Sequence, residues 1–142
     1  MRSSIQRRIQ PTDANLTRFM RRGGKLLMAH GTIDQTVSTR ATEIYYQRLL
    51  FTMGFGAVES FVRFYEIPGL QHAVGTEFNA SWDSLTALEN WVEHGTPPVH
   101  QVVTDTAGVP GRTRPLCQYP TWPGYNGAGD VNSAASFTCV RG

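Results

Sequence analysis

The chain has 142 residues, of which 40% are hydrophobic, 17% charged and 11% aromatic. That suffices for one domain and is too apolar for a wholly disordered chain. Formal net charge is +2, and no apolar run nears the ~18 residues of a membrane-crossing helix.

Charge is unevenly spread. Residues 1–25 hold Arg2, Arg7, Arg8, Arg18, Arg21, Arg22 and Lys25 against Asp13 alone, so the remainder is acidic. A basic arm can contact nucleic acid. This one lacks aromatic interleaving, zinc spacing and any recognition motif, so residues 1–15 read as a polar, solvated leader. Neither nucleic acid nor membrane is expected as a partner. The first fifteen residues contain no apolar h-region, so no signal peptide is expected in the chain as it stands.

Residues 16–22 suit a short helix, with Asn15 as its cap before Leu16, Phe19 and Met20. Gly23 and Gly24 end it. The apolar stretch Lys25–Gly31 suits a strand buried on both faces of a parallel sheet. Residues 39–53 read as a helix capped by Ser38 or Thr39, with Glu43 near its positive end and a stripe of Ala41, Ile44, Tyr45 and Leu49. Gly54 stops it. Residues 61–67 form the second strand candidate, closed by Pro68 and Gly69. A second helix should begin near Ser81 and bury Leu85, Leu88, Trp91 and Val92, ending at His94-Gly95 before Pro97 and Pro98. Strand, helix, strand, helix is an α/β pattern. Val99, Val102 and Val103 are the last segment expected in the packed layers. From about residue 105, Gly, Pro, Asn, Ser and Thr dominate without a period. The aromatic residues Tyr119, Trp122, Tyr125 and Phe137 argue that this tail wraps over the domain. Three regions result: a leader over 1–15, α/β core over 16–104 and a wrapping tail over 105–142. Two strands are few for an α/β sheet, which points to part of something larger.

Cys117 and Cys139 are the only cysteines, 22 positions apart. A four-thiolate zinc site within one chain is excluded. A disulfide here would close a loop worth about 3 kcal/mol in the chain-entropy account and would need an oxidising compartment. Two free thiols are the alternative.

Asp34 follows the first strand and His72 the second. In an open α/β sheet, ligands bind beyond the carboxyl ends of the strands. An acid after one strand and a histidine after the next supply two parts of a Ser-Asp-His relay, in α/β-hydrolase order. The bland alternatives are a turn-capping Asp34 and an exposed loop His72. His30 reads as shaping the end of its strand. Glu43, Glu59, Glu89 and Glu93 read as solvated charges, Trp82 and Trp91 as packing residues. His94 and His100 have no second metal ligand at sensible spacing.

Several stretches carry a resemblance. They are Gly23-Gly24-Lys25-Leu26-Leu27-Met28-Ala29-His30-Gly31 with Asp34, Phe64-Tyr65, Pro68-Gly69-Leu70-Gln71-His72, Leu85–Leu88 and Trp91–Gly95. In the tail they are Gly111–Cys117 with Tyr119-Pro120, then Tyr125, Gly127, Gly129-Asp130, Asn132, Ala134-Ala135 and Ser136–Cys139. From about residue 9 to the end, the sequence resembles the C-terminal part of the tannase and feruloyl esterase family. The resemblance implies the C-terminal part of an α/β-hydrolase sheet with flanking helices and a disulfide-stapled irregular tail. It implies a serine-dependent hydrolase of esters of aromatic acids or phenolic compounds, working through an acyl-enzyme without a cofactor. The family acid corresponds to Asp34, its histidine to His72 and its tail cysteine pair to Cys117 and Cys139. It also implies a secreted or periplasmic parent protein and a small aromatic ester as substrate.

Two departures stand out. Ser3, Ser4, Ser38, Ser60, Ser81, Ser84, Ser133 and Ser136 all lack the strand–turn–helix setting of a nucleophile elbow. The family serine, oxyanion donors and lid lie earlier in its members. The chain alone is therefore expected to be inactive, with a missing N-terminal half as one expected partner. Second, Ala73 stands where many members carry a cysteine that bridges to one beside the serine. A non-catalytic remnant or binding module, and one half of a split esterase, are the alternative readings.

Overall fold

The computed structural model describes residues 12–72 and 74–142. Most of the basic leader, and Ala73, lie outside the described residues. At the centre are two parallel strands, β1 (Leu26–Gly31) and β2 (Val62–Ile67), in register from Leu26 opposite Val62 to Gly31 opposite Ile67. The parallel pairing expected from the sequence is what the molecule shows, and it is right for two apolar strands joined by helix.

Side chains alternate across the two strands. Leu26, Met28, Val62 and Phe64 face one layer and meet Tyr46 and Leu49 from a long helix and Val58 and Phe61 from the next. Leu27, Tyr65 and Ile67 face the other and meet Phe78, Val103, Leu116 and Trp82. The sheet thus has cover on both faces.

A short helix, α1 (Thr17–Arg21), precedes β1. Leu16, not Asn15, occupies its N-cap, although Asn15 Oδ1 accepts from the Thr17 amide at 3.3 Å. The long helix α2 (Thr39–Met53) has the expected bounds. Neither expected cap acts as one: Ser38 makes no side-chain cap bond, and Thr39 Oγ1 donates instead to the Gly31 carbonyl at 2.7 Å. That bond ties the helix start to the end of β1. The buried stripe is Tyr46 and Leu49, while Ile44 is exposed. Gly54, at φ 81°, donates its amide to Leu50 O and turns the chain. A left-handed φ of this kind favours glycine. The chain resumes at once as α3 (Phe55–Phe61), so Gly54 joins two helices where a stop was expected.

The next helix, α4, spans Ser84–His94 and is capped by Asp83, whose side chain accepts from the Thr86 amide. The expected start at Ser81 is corrected: Ala80–Ser81 form β3 and pair with Thr104–Asp105. The expected stripe is also corrected, for Ala87 and Trp91 are buried while Leu85 and Val92 are exposed. The Arg63 guanidinium lies 4.9 Å from the Trp91 ring centroid, which fixes α4 to the sheet.

The tail holds more regular pairing than its composition suggests. β4 (Val102–Asp105) pairs antiparallel with β3 and with β5 (Thr113–Pro115), and β6 (Thr121–Tyr125) pairs antiparallel with β7 (Phe137–Arg141). A short 3-10 turn over Ala134–Ser136 precedes β7. Val103 is buried, but Val99 and Val102 are exposed. Cys117 and Cys139 form the disulfide. Tyr119 packs against Tyr46 and Phe64, and its amide donates to Phe64 O, so the tail covers the outer edge of β2. The outer edge of β1 has no strand partner among the described residues.

Candidate active site

Both strands of the parallel pair end at the same level, and the loops that leave them meet there. Gly31 makes the meeting close: a Cβ on it would stand 2.1 Å from the Leu70 carbonyl oxygen. Thr32 N–H donates to Ile67 O at 3.1 Å and Ile33 N–H to Leu70 O at 3.2 Å, which knits the two loops together.

Asp34 lies in the first loop with its side chain only 5% exposed. Its Oδ1 accepts from the amides of Thr36 at 2.8 Å and Val37 at 2.9 Å. This is the turn-capping role of an aspartate. The same carboxylate does more. His72 Nδ1 donates to its Oδ2 at 2.8 Å. The two readings of Asp34 are therefore one structure: the turn anchors Oδ1 and leaves Oδ2 for the imidazole. Partial burial pulls the Asp34 pKa upward. The hydrogen bond from Val37 N–H, those from His72 and Thr36, and the His72 charge outweigh it and hold the carboxyl well below the usual carboxylate range. Asp34 is accordingly an anion at any ordinary pH.

The His72 side chain is 53% exposed. Among the described residues, its Nε2 has no hydrogen-bond partner. The pair opens on a hollow of about 310 Å³ lined by Ala29, His30, Gly31, Asp34, Val37, Leu70, Gln71 and His72. That lining includes an acid and imidazoles but no serine, threonine or cysteine. Both cysteines are consumed in the disulfide. The arrangement can orient an imidazole, stabilise its protonated form and pass a proton.

Residues 2–140 match the family described as tannase and feruloyl esterase. The chain belongs to the tannase and feruloyl esterase family. It is 43% identical over 134 residues to an uncharacterized esterase of Agrobacterium fabrum, covering 93% of this chain and 24% of that protein. It is 39% identical over 135 residues to the mono(2-hydroxyethyl) terephthalate hydrolase of Piscinibacter sakaiensis, covering 91% of this chain and 22% of that one. The crystal structure of feruloyl esterase B from Aspergillus oryzae superposes with a TM-score of 0.82 at 26% identity, covering 90% of this chain and 29% of that one. The chain thus spans under a third of the length of these relatives.

Within this family frame, the structure brings together the two residues singled out from the sequence and adds others. His30 stands 3.2 Å from Asp34 Oδ2 through its Nε2, and its Nδ1 lies 2.7 Å from Thr42 Oγ1 on α2. Its place at the last turn of a strand gave a hint of a shaping role; the Thr42 contact gave none. Asp105 was missed. Its side chain is fully buried and accepts from the amides of Asn79, Ala107, Gly108 and Val109 and from Arg112 Nη2. Arg112 Nη2 also donates to Glu77 O, so this hub anchors the loop that carries His72. An Asp followed by Thr-Ala-Gly is a turn signal that could have found it. Glu59 was read as solvated, yet its carboxylate accepts from Gln118 Nε2 and lies 3.6 Å from Arg63.

Proposed function

We propose that this chain is the C-terminal part of a serine-dependent carboxylic ester hydrolase, with Asp34 and His72 as the acid and base of its relay. One observation carries the reading. A buried, amide-anchored carboxylate holds an exposed imidazole at 2.8 Å, at the carboxyl ends of two paired parallel strands. A lone structural ion pair has no need of an open hollow beside the imidazole.

In the complete enzyme, His72 Nε2 takes the proton from a serine hydroxyl supplied by another part of the protein. The serine oxygen bonds to the ester carbonyl carbon, and the tetrahedral intermediate expels the alcohol, which receives that proton from His72. Water then attacks the acyl-enzyme by the same route and regenerates the serine. Asp34 keeps Nδ1 protonated and offsets the imidazolium charge without itself taking the proton. No step needs a metal or cofactor. The relatives' names, a terephthalate half-ester hydrolase and feruloyl esterases, support esters of aromatic acids or phenolic compounds as the substrate class. The disulfide supports a secreted or periplasmic parent protein.

The outer edge of β1, unpaired among the described residues, favours a further reading, that the chain completes its sheet with an N-terminal half. Beside that edge lies a groove of about 290 Å³ lined by Leu27, Ala29, Trp82, Ser84, Leu85 and Leu88. Exposed Leu85 and Val92 extend its apolar character. A preceding segment of the same protein, or a separately encoded half, would pair with β1 and cover this face. A non-catalytic binding module would instead be monomeric or of defined assembly, with a cooperative melt of its own.

The test has two arms. The pure chain incubated with an aryl ester should show no turnover, for want of a nucleophile. The chain fused behind the N-terminal portion of the terephthalate half-ester hydrolase should hydrolyse it. A folded fusion that leaves the ester intact, or a pure chain that hydrolyses it through His72, would overturn the reading.

A further inference from the structure

The loop that leaves β2 borders two hollows. Leu70, Gln71 and His72 line the one beside the proposed relay. Pro68 and Phe78 line a second, of about 370 Å³, together with Arg112, Arg114 and Trp122. The two share no lining residue, and no step of the proposed reaction uses the second.

Its two guanidinium groups differ in what they have left to offer. The Arg112 charge is already paired: Nη2 donates to buried Asp105 Oδ2 at 2.7 Å and to Glu77 O at 2.6 Å. Arg114 is different. Its guanidinium carbon lies 4.1 Å from the Phe137 ring centroid, so one face of the plane is stacked. Nη1 donates to Thr113 O at 2.7 Å. Among the described residues, Nε and Nη2 have no hydrogen-bond partner, and no carboxylate pairs with the group. The buried side-chain polar atoms without a partner there belong to Arg63, Glu66 and Arg112, so this free edge of Arg114 is open to solvent. Nε and Nη2 together form an edge on which a guanidinium grips a carboxylate with two parallel bonds. Burial, and then the like charge of Arg112, pull the Arg114 pKa below its ordinary value, against the opposing charges of Asp105 and Asp130. An anion on that edge would relieve both effects.

The rest of the wall selects among anions. Trp122 is 56% exposed, yet its strand is paired, and Cys139 opposite its neighbour Pro123 is tied to Cys117. A large aromatic face is thus presented from a fixed frame, which favours a ring stacked against it. Glu77 also lines the hollow, and its carboxylate accepts from Gln71 Nε2 and Thr76 Oγ1, both at 2.8 Å. With Glu77 in the wall and Asp105 on Arg112, the site is no general trap for anions. A small hydrated ion gains little there, and a second carboxylate on the ligand would meet Glu77.

We propose that this hollow binds a small aromatic monocarboxylate, its carboxylate gripped by Arg114 and its ring laid against Trp122. The site stands apart from the relay reading and holds whether or not Asp34 and His72 act in catalysis.

The experiment is a titration of the 142-residue chain with benzoate at constant ionic strength, read by NMR from the indole N–H signals of its three tryptophans. The Trp122 signal is assigned by its loss in Trp122→Phe and should shift saturably. Trp91 is buried and Trp82 Nε1 donates to Gln101 Oε1 at 3.1 Å, so both signals should stay still. Benzyl alcohol has the ring without the charge, and acetate the charge without the ring. Each should need at least about tenfold more ligand for half-saturation. Arg114→Lys keeps the charge and loses the fork; it should weaken benzoate about tenfold and leave benzyl alcohol unchanged. A Trp122 signal that benzoate does not move overturns the proposal. So does acetate that binds as well as benzoate, which means an adventitious ion only, or benzyl alcohol that does so, which means an apolar cleft only. Undiminished benzoate binding in a folded Arg114→Lys chain overturns it too. Should Arg114→Lys not fold, the three ligands on the native chain decide alone.

Discussion

Asp105→Asn should be among the most damaging conservative substitutions in the chain. Asp105 Oδ1 accepts from the amides of Asn79 at 3.0 Å, Ala107 at 2.9 Å and Gly108 at 3.1 Å. Oδ2 accepts from Val109 N–H and Arg112 Nη2, both at 2.7 Å. An asparagine can keep only one oxygen. With Oδ1 retained for three amides, its NH2 meets two donors and leaves Arg112 unpaired. Breaking a buried pair by removing one partner costs about 3–5 kcal/mol. Two lost charge-assisted bonds at about 1.5–3 kcal/mol each give a similar figure. Against a total stability of about 5–15 kcal/mol for an ordinary domain, this is a large share. At roughly 3 °C per kcal/mol for a chain of this size, Tm should fall by about 10–15 °C. Burial pulls the Asp105 pKa up, but the amides of Val109, Ala107 and Asn79 and the Arg112 guanidinium outweigh it and hold it well below the usual range. Its folded pKa is thus below its unfolded value of about 4. The contribution is present above that unfolded pKa and is lost as pH falls through the folded one, so the gap between parent and variant should narrow below about pH 4. Calorimetry from pH 7 down to pH 3 measures both. A loss under about 3 °C at pH 7, or a gap that does not narrow in acid, would refute the reasoning.

Three further outcomes are expected. Glu66 is pushed up to about 7 by burial, then by the charge of Glu43 and their shared hydrogen bond. Its proton therefore contributes stability that is full below about 4.5 and lost as pH rises through about 7. Glu66→Gln should accordingly raise Tm at pH 8 relative to the parent and flatten that dependence, and an unchanged melt at pH 8 would count against it. Reducing the Cys117–Cys139 bond, with 22 residues of sequence separation, should cost about 3 kcal/mol, read from urea unfolding with and without a reductant. Gly31→Ala places a Cβ against the Leu70 carbonyl. It should destabilise by about 1–3 kcal/mol, read from urea unfolding, and loosen the contact between Asp34 and His72, read as a lower kcat/KM in the fusion.

Much of the site was legible because its two residues sit where local pattern is strongest. Each follows an apolar strand directly, and the parallel pairing of those strands brings the loops together. The bracing of the site was not legible. Thr42 reaches His30 across 12 positions, and Asp105 gathers donors from 26 residues away at Asn79. Such contacts are set by the packing of α2 and β3 against the sheet, and no period records them. The start of α4 was misplaced for a similar reason: Ala80–Ser81 are claimed by a strand partner at Thr104–Asp105, and Asp83 then caps the helix. Gly54 was read as an end because its φ breaks one helix, yet the same turn launches α3. Leu85 and Val92 have the spacing of a buried stripe but are exposed. An apolar period marks which residues need cover, and here Leu85 lines a groove with Leu27 and Ala29 of β1, whose outer edge is unpaired among the described residues.

The central claim is that Asp34 and His72 act as one catalytic unit. The direct measurement is kcat/KM for an aryl ester in the fusion described above, with Asp34→Asn, His72→Ala and both together. Members of one relay are grossly non-additive. The account predicts a loss on the order of 10³-fold or more for His72→Ala and little further loss in the double variant. Retained hydrolysis in His72→Ala, or two losses that multiply in the double variant, would contradict it.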